Sequence, residues 1–249
     1  MAELALHGRV ALVTGASRGL GRELACALAG EGARVGLIAR PSSALDNLVG
    51  RLGQAALALP CDIRSAAAVR AAVDQAARHF GGIDILVNNA AACLPNMIES
   101  IPDEDALAEV ETNLLGPIWC CRAVIPHMRA GGGGEILNVS SESVNAPVPL
   151  MTTYAATKAA LEALSVGLRS EVKALGIRVS VLRSGAMATS ITGQWSAAQK
   201  QAFFSAYANT ERQAETGGAI DPAITARAIV RLLQTPVEAC VRLIELSGG

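Results

Sequence analysis

Tyr154 and Lys158 stand four residues apart in a chain that holds only two tyrosines and three lysines. On a helix, that spacing puts both side chains on one face. A free phenol has a pKa near ~10, too high for proton exchange around neutrality, and a neighbouring ammonium favours the phenolate. Lys158 is therefore expected to lower the Tyr154 pKa into a range useful for general acid–base work. Ser141, upstream at the expected end of a strand, adds a hydroxyl that can donate to a substrate oxygen. Together the three suit proton exchange with a carbonyl or an alcohol. A solvated surface pair is the plainer reading of Tyr154 and Lys158, and Ser141 argues against it.

A second set of residues suits a phosphate. Val10–Val13 reads as a strand that runs into Thr14-Gly15-Ala16-Ser17-Arg18-Gly19-Leu20-Gly21, which opens a helix. Glycine allows a sharp turn and close backbone approach, and the unpaired amides at a helix start favour an anion. An ordinary strand-to-helix turn is the alternative. The next strand ends Ile38-Ala39-Arg40. Dinucleotide folds that take NAD commonly place an acid there for the ribose 2′-hydroxyl. Here Ala39 is no acid, and Arg40, with Arg18 as a second clamp, suits a 2′-phosphate. The expected cofactor is NADP(H) in preference to NAD(H), against the reading that both arginines are solvated surface charges.

The elements that must position these groups follow from hydrophobic patterning. Val10–Val13, Val35–Ala39, Ala55–Pro60, Ile83–Val87, Glu135–Val139, Val179–Arg183 and Val241–Leu246 read as strands. Leu20–Gly30, Ser42–Leu52, Ala66–Phe80, Glu104–Arg129, Tyr154–Leu175 and Pro222–Gln234 read as helices. Apolar strands with little alternation, each followed by an amphipathic helix, imply a parallel sheet covered on both faces. The expected fold is α/β, a Rossmann-like doubly wound sheet of about seven strands. No linker or repeat divides the chain, so residues 1–249 are expected to form one dinucleotide-binding and catalytic domain. The glycines Gly131–Gly134 read as a tight connection. Residues 186–218 are too long for an ordinary connection and are expected to form a substrate lid.

The Gly-x3-Gly-x-Gly spacing behind Thr14, with Ser141 and Tyr154-x3-Lys158, resembles the short-chain dehydrogenase/reductase family over essentially the whole chain. The resemblance implies that Ser141 donates to the substrate oxygen and that Tyr154 exchanges the proton. It implies that Lys158 holds the nicotinamide ribose and tunes Tyr154. Asn113, in Thr112-Asn113-Leu114-Leu115-Gly116, matches the asparagine that maintains a water and proton path to the lysine. Gly15, Ser17, Arg18, Gly19, Leu20 and Gly21 then form the cofactor turn. Asp62 and Ile63 lie where the family contacts adenine. Asn89, Ala90 and Ala91 lie in Asn88-Asn89-Ala90-Ala91, beside the ribose, with Ala91 in place of the family's glycine. Gly185 and Thr189 follow the sixth strand, where Ser184 replaces a proline. Read alone, Asp62 also suits a helix start leading to Ser65, and Asn113 a structural polar residue within a helix. The resemblance also implies a homodimer or homotetramer, packed through the long helices 104–129 and 154–175.

Four of the seven aromatic residues, Trp195, Phe203, Phe204 and Tyr207, fall within thirteen positions of the 186–218 segment. A core-packing helix would explain them; the preferred reading is a mobile helical lid with apolar groups facing the substrate. Pro147, Val148, Pro149, Leu150 and Met151 are candidates for the opposite wall, with Ala92, Cys93 and Leu94 beside them. A hydrophobic ketone or alcohol suits such a pocket. The same site could serve an epimerase or dehydratase, and Ala91 and Ser184 leave room for a dinucleotide sensor or scaffold with little turnover.

Charge narrows the classes further. Lys and Arg number 21 against 22 Asp and Glu, for a formal net charge of −1. With no basic tract, nucleic acid and anionic membrane are not expected partners. No apolar run has the length of a membrane span and the N-terminus has no signal-peptide pattern, so a cytoplasmic protein is expected. The six cysteines show no metal-ligand spacing, and buried free thiols without a metal are expected.

Overall fold

The computed structural model describes residues 6–208, 218–236 and 238–248. Seven strands form one parallel sheet in the order β3-β2-β1-β4-β5-β6-β7. They are β1 (Val10–Thr14), β2 (Arg34–Ala39), β3 (Ala56–Pro60), β4 (Ile85–Asn88), β5 (Gly134–Ser141), β6 (Ile177–Ser184) and β7 (Leu243–Leu246). The helices are α1 (Gly19–Gly30), α2 (Ser43–Leu52), α3 (Ala66–Phe80), α4 (Asp103–Val110), α5 (Gly116–Ala130), α6 (Thr152–Val172), α7 (Ala197–Ala208) and α8 (Pro222–Leu233).

The pleat explains why β1 is apolar from Val10 to Val13. Ala11 and Val13 face a core shared with Leu24 and Leu28 of α1, Leu45 of α2 and Ile229 of α8. Val10 and Leu12 face a second core with Val73 of α3, Val124 and Met128 of α5 and Leu168 of α6. A strand buried on both faces has no polar side, hence the unbroken apolar run. The sheet winds outward in one direction from β1 to β3 and in the other from β4 to β7. The crevice between the carboxyl ends of β1 and β4 is therefore the topological switch point where ligands bind in such sheets.

Two polar features join the layers. Asn88 at the end of β4 donates to Asn138 of β5 (2.8 Å), which donates to Ser165 of α6 (2.8 Å). Asn138 and Ser165 are completely buried, so this chain fixes the lateral register of two strands and a helix. The second is a departure from the expected single helix 104–129. Here α4 and α5 are joined by a π-helical segment, Glu111–Leu115, in which the Gly116 amide donates to the Glu111 carbonyl. Pro117 has no N–H for the Asn113 carbonyl, so the ordinary α ladder fails at that point. A single-turn π segment is a frequent companion of functional sites.

The remaining differences are local. β5 reaches Ser141, α6 begins at Thr152, and the segment after β6 contains a helix, α7, none of whose described side chains is buried. Its Phe203 is partly buried and packs on a small cluster beside the cleft, apart from the two cores that cover the sheet. Residues 209–217 of the expected insertion lie outside the described residues. Gly132 and Gly133 take positive φ values of 87° and 148° in the tight turn before β5. Among the described residues no helix is long and apolar enough to cross a membrane, and no cluster of potential metal ligands occurs. The cysteines are unpaired, but only Cys61, Cys93, Cys120 and Cys121 are buried; Cys240 is exposed, contrary to expectation.

Asn138→Leu keeps the size of the side chain, takes the oxygen acceptor from the Asn88 amide and leaves the Ser165 hydroxyl only its bond to the Leu161 carbonyl. Urea unfolding is expected to show a loss of about 2–4 kcal/mol; a loss below about 0.5 kcal/mol would mean that the polar chain does not stabilise the sheet.

Candidate active site

The glycine turn is bolted to the end of β4 by one hydroxyl. Thr14 Oγ1 accepts from the amides of Asn89 (2.9 Å) and Ala90 (3.0 Å), and Asn89 Nδ2 donates back to the Thr14 carbonyl (2.8 Å). Gly15 (φ +67°) is pressed against this segment, where an added Cβ would lie 2.9 Å from the Ala90 Cα. At Gly21 a Cβ would come within 2.3 Å of the Gly15 carbonyl oxygen, so this glycine serves the turn's own packing. It does not itself line the cleft. Gly19 (φ +52°) faces Thr189, with an added Cβ 3.3 Å from the threonine Cβ.

Around this turn lies a cleft of about 1230 Å³. Of the expected cofactor residues it is lined by Gly15, Ser17, Arg18, Gly19, Leu20, Arg40, Asp62, Ile63, Asn89, Ala90, Ala91, Tyr154, Lys158, Gly185 and Thr189. The start of α1 opens into it with no side-chain cap and no acid in the first turn. By contrast, Ser42, Ser65 and Asp221 cap α2, α3 and α8. An uncapped helix start with a glycine cradle fits the phosphates of a dinucleotide.

Arg18 and Arg40 are exposed at the rim, and among the described residues neither forms a salt bridge. Asp62 is not the start of α3, which Ser65 caps. The Arg64 guanidinium binds both Asp62 oxygens, Nε to Oδ1 at 3.1 Å and Nη2 to Oδ2 at 2.7 Å, and the Arg64 amide donates to Oδ1. Those bonds, with the nearby charge of Arg40 a smaller cause, hold the Asp62 carboxyl below its usual range.

Deeper in the cleft Ser141, Tyr154 and Lys158 come together. Tyr154 is buried with the Ser141 side chain near enough to act on its hydroxyl, and Ser141 Oγ accepts from the Ser143 amide (3.1 Å). Lys158 is only 2% exposed and donates to the Val139 carbonyl (2.8 Å), with Nζ 5.7 Å from the centre of the Tyr154 ring. The expected direction of tuning is reversed in the protein alone. Burial drives the Tyr154 pKa well above that of a free phenol and outweighs the opposing effect of the Ser141 side chain. The same burial drives Lys158 down from 10.5 to about 8. Desolvation penalises each charged form more than the two groups help one another.

Asn113 is completely buried and is not in the cleft lining. Its amide spans the Ala92 backbone, donating to the carbonyl and accepting from the N–H (both 2.8 Å), and donates to Thr157 Oγ1 (3.0 Å). The π segment thus ties the loop after β4 to α6, one residue from Lys158.

Several supports were not foreseen in the sequence. Glu162 of α6 accepts from Ser140 (2.6 Å) and forms a salt bridge with Arg183 of β6 (2.6 Å), which also pairs with Glu245 of β7. Burial opposes the Glu162 charge, yet the Arg183 and Ser140 bonds hold its carboxyl below the usual range. The signal was its position, four residues after Lys158 on the same helical face. Ser184, where a proline was expected, is buried and donates to the Gly185 carbonyl (3.1 Å), tying the turn without a ring.

The substrate side is apolar. Cys93, Tyr154 and Trp195 form a small buried cluster against which Ala91, Met151, Ile191 and Phe203 pack. Trp195 donates from its indole to the Cys93 carbonyl (2.6 Å). Phe203 lies edge-on to Trp195 (4.9 Å between centroids) and stacks on Tyr207 (5.9 Å), while Phe204 is 55% exposed. Val148, Met151, Phe203 and Phe204 line the cleft as expected; Leu150, Pro147 and Pro149 do not. Leu150 adopts φ 70°, and its carbonyl accepts from the Asn96 amide (2.9 Å).

Comparison with known proteins agrees with this architecture. A sequence profile described as short chain dehydrogenase matches residues 9–200. The chain is 36% identical over 188 residues to an uncharacterized oxidoreductase of Methylorubrum extorquens, covering 74% of this chain and 75% of that protein. It is 35% identical over 188 residues to a probable galactose dehydrogenase of Rhizobium meliloti, covering 74% and 73% of the two chains. Among solved structures, a 3-ketoacyl-(acyl-carrier-protein) reductase from Brucella melitensis complexed with NADH superposes with a TM-score of 0.86 at 31% identity, covering 98% of each chain. An alcohol dehydrogenase from Thermococcus sibiricus complexed with 5-hydroxy-NADP does so at 0.82 and 27%, covering 96% of each.

The depressed Lys158 pKa carries a signed consequence for stability. Between about pH 8 and 10.5 the unfolded chain binds a proton that the folded chain does not, so stability from this group falls as pH drops through that window and is constant below it. The stability of Lys158→Met relative to the parent, from cofactor-free denaturant unfolding, is expected to decline by about 3 kcal/mol from pH 8 to 10.5. A difference independent of pH would show that Lys158 is not desolvated as described.

Proposed function

The chain belongs to the short-chain dehydrogenase family, and from its site we propose that it interconverts a carbonyl and a secondary alcohol with NADP(H), in the direction of a hydrophobic ketone's reduction. The observation that carries this reading is the Tyr154 phenol, buried in an apolar recess, sharing the cleft with Ser141 and backed by Lys158. Burial keeps that phenol protonated at rest, the form needed to give a proton to an oxygen that becomes an alcohol. Ser141 donates a hydrogen bond to the same oxygen and orients it. Lys158 holds a positive charge close by, on the side from which Tyr154 is reprotonated. The bound nicotinamide supplies the hydride, and the protein contributes position and polarity.

The uncapped start of α1 and the Gly15–Gly19 turn hold the diphosphate; Asn89, Ala90 and Ala91 hold the ribose; Gly185 and Thr189 border the nicotinamide. Asp62 and Ile63 flank the adenine. Ala39 leaves no acid at the end of β2, and Arg40 with Arg18 supplies two guanidinium groups for a 2′-phosphate. Asn113 positions the Ala92 backbone and Thr157, and through them the wall opposite Tyr154. Residues 186–218 act as a lid, with Trp195 its anchor and Phe203 and Phe204 turned to the substrate; Cys93 and Met151 complete the wall. Ala91 joins this wall through its methyl group, and Ser184 ties its own turn, so neither departure from the family favours a silent sensor over turnover. Exposed Leu107 of α4 and Val166 of α6 lie on the helices proposed to join subunits in a homodimer or homotetramer.

Tyr154→Phe is expected to lower kcat for NADPH oxidation with an apolar ketone by about 10²–10⁴-fold while binding of NADPH persists. Unchanged turnover would remove Tyr154 as the proton donor. Arg40→Ala is expected to weaken NADPH by about 10-fold or more, as for a lost charge-assisted bond, with NADH nearly unaffected. Calorimetry with both dinucleotides measures this, and an equal effect on the two would contradict the 2′-phosphate assignment.

A further inference from the structure

Behind the Cys93–Leu94 wall lies an acid that the chemistry above does not use. Glu109, on the last turn of α4, is 1% exposed and sits four residues before Asn113 on the same face. Its Oε1 accepts from the Leu94 amide at 2.7 Å, and its Oε2 is buried with no hydrogen-bond partner among the described residues. Asn113 grips Ala92 and Glu109 grips Leu94, so the two side chains hold both sides of Cys93. The Cys93 carbonyl, fixed between them, receives the Trp195 indole. The wall and the anchor of the aromatic layer thus hang on two helical positions one turn apart.

We infer that Glu109 is a positioning residue that sets the Cys93–Leu94 wall and thereby the docking of Trp195, in a manner that depends on whether its carboxyl is protonated. This rests on the reading that the wall faces the substrate. A buried carboxylate with a single donor is costly, because Oε2 loses water and gains nothing in return. Ionisation can be relieved only by bringing a donor or water to Oε2, which disturbs the backbone that Oε1 holds. Asp105 of the same helix, itself held by Asn96 (2.9 Å), opposes the charge. Cys93, driven up to about 12 by burial, stays a thiol, and Tyr154 of α6 stays a phenol. Lys158 bears on Cys93. Burial first, with Asp105 adding to it, raises the Glu109 carboxyl from 4.5 to about 7 against the Leu94 hydrogen bond. The neutral acid therefore holds the wall below neutrality, and the folded chain loses stability from this group as pH rises from 4.5 to about 7, with the loss constant above.

The chain has two tryptophans, so Trp119→Phe leaves Trp195 as the only one. Its emission in the full-length chain, without cofactor or substrate, is followed from about pH 5 to 9. A spectral transition with its midpoint near 7 is expected, and Glu109→Gln, of the same shape and unable to ionise, is expected to abolish it. His7, His79 and His127 are present in both proteins, so loss of the transition in the glutamine variant assigns it to Glu109. Over the same range the Tm of Glu109→Gln relative to its parent is expected to rise up to about pH 7 and then level off. In turnover, Glu109→Ala is expected to raise KM for the ketone about 10-fold with kcat nearly kept, and the glutamine variant to restore it. An identical transition in both proteins, or none in either, overturns the inference. So does an equal KM in the alanine variant, and where that variant fails to fold the emission of the glutamine variant decides. The emission readout needs no turnover, so its failure is separable from a failure of the redox reading.

Discussion

The site depends on the Thr14 hydroxyl, which takes the amides of Asn89 and Ala90 at the point where the sheet changes its direction of winding. Two loops that leave β1 and β4 on diverging paths would otherwise expose those amides and separate. Buried backbone donors must find acceptors, and one side chain at the strand end serves two of them. Gly15 can then lie against Ala90 and Gly21 against Gly15, which brings the start of α1 into the cleft. Every later contact, from the rim arginines to Tyr154, takes its distance from that junction.

A second layer of support runs through polar groups packed between the elements. Asn88, Asn138 and Ser165 lock β4, β5 and α6 in register. Ser140, Glu162 and Arg183 fix the strand end that carries Ser141 against the helix that carries Tyr154 and Lys158. Asn113 and Glu109, both fully buried on neighbouring turns, hold the loop after β4. The proposed reacting groups are consequently borne on rigid elements with their positions set from behind. Low dielectric makes these networks strong when satisfied, and it also pushes Tyr154 toward the phenol and Lys158 toward the amine.

That last effect explains why one sequence-based expectation failed. Four-residue spacing placed the ammonium near the ring, and attraction between opposite charges argued for an easily ionised tyrosine. Spacing carries no information on how much water the two groups lose on folding. Both are inside, so each pays the desolvation cost alone, and Lys158 spends its proton on the Val139 carbonyl.

Most of the architecture was legible because it follows from periodicity. Unbroken apolar runs separated by amphipathic helices allow one parallel, doubly covered sheet, and Gly15, Gly19, Ser141, Tyr154 and Lys158 fall at strand and helix ends where local chemistry singles them out. The break at Glu111–Leu115 was not read from Gly116 and Pro117, because a missing N–H can bend, end or widen a helix and only packing selects among these. Leu150 was placed in the pocket by its neighbours in sequence, yet its positive φ turns the chain there. Which polar side chains meet across the sheet, that Glu109 shares a wall with Asn113, and that Gly21 is pressed against Gly15 and Asn89, were settled by tertiary structure alone. Those contacts join residues far apart in the chain, and pattern within a window of residues holds no record of them.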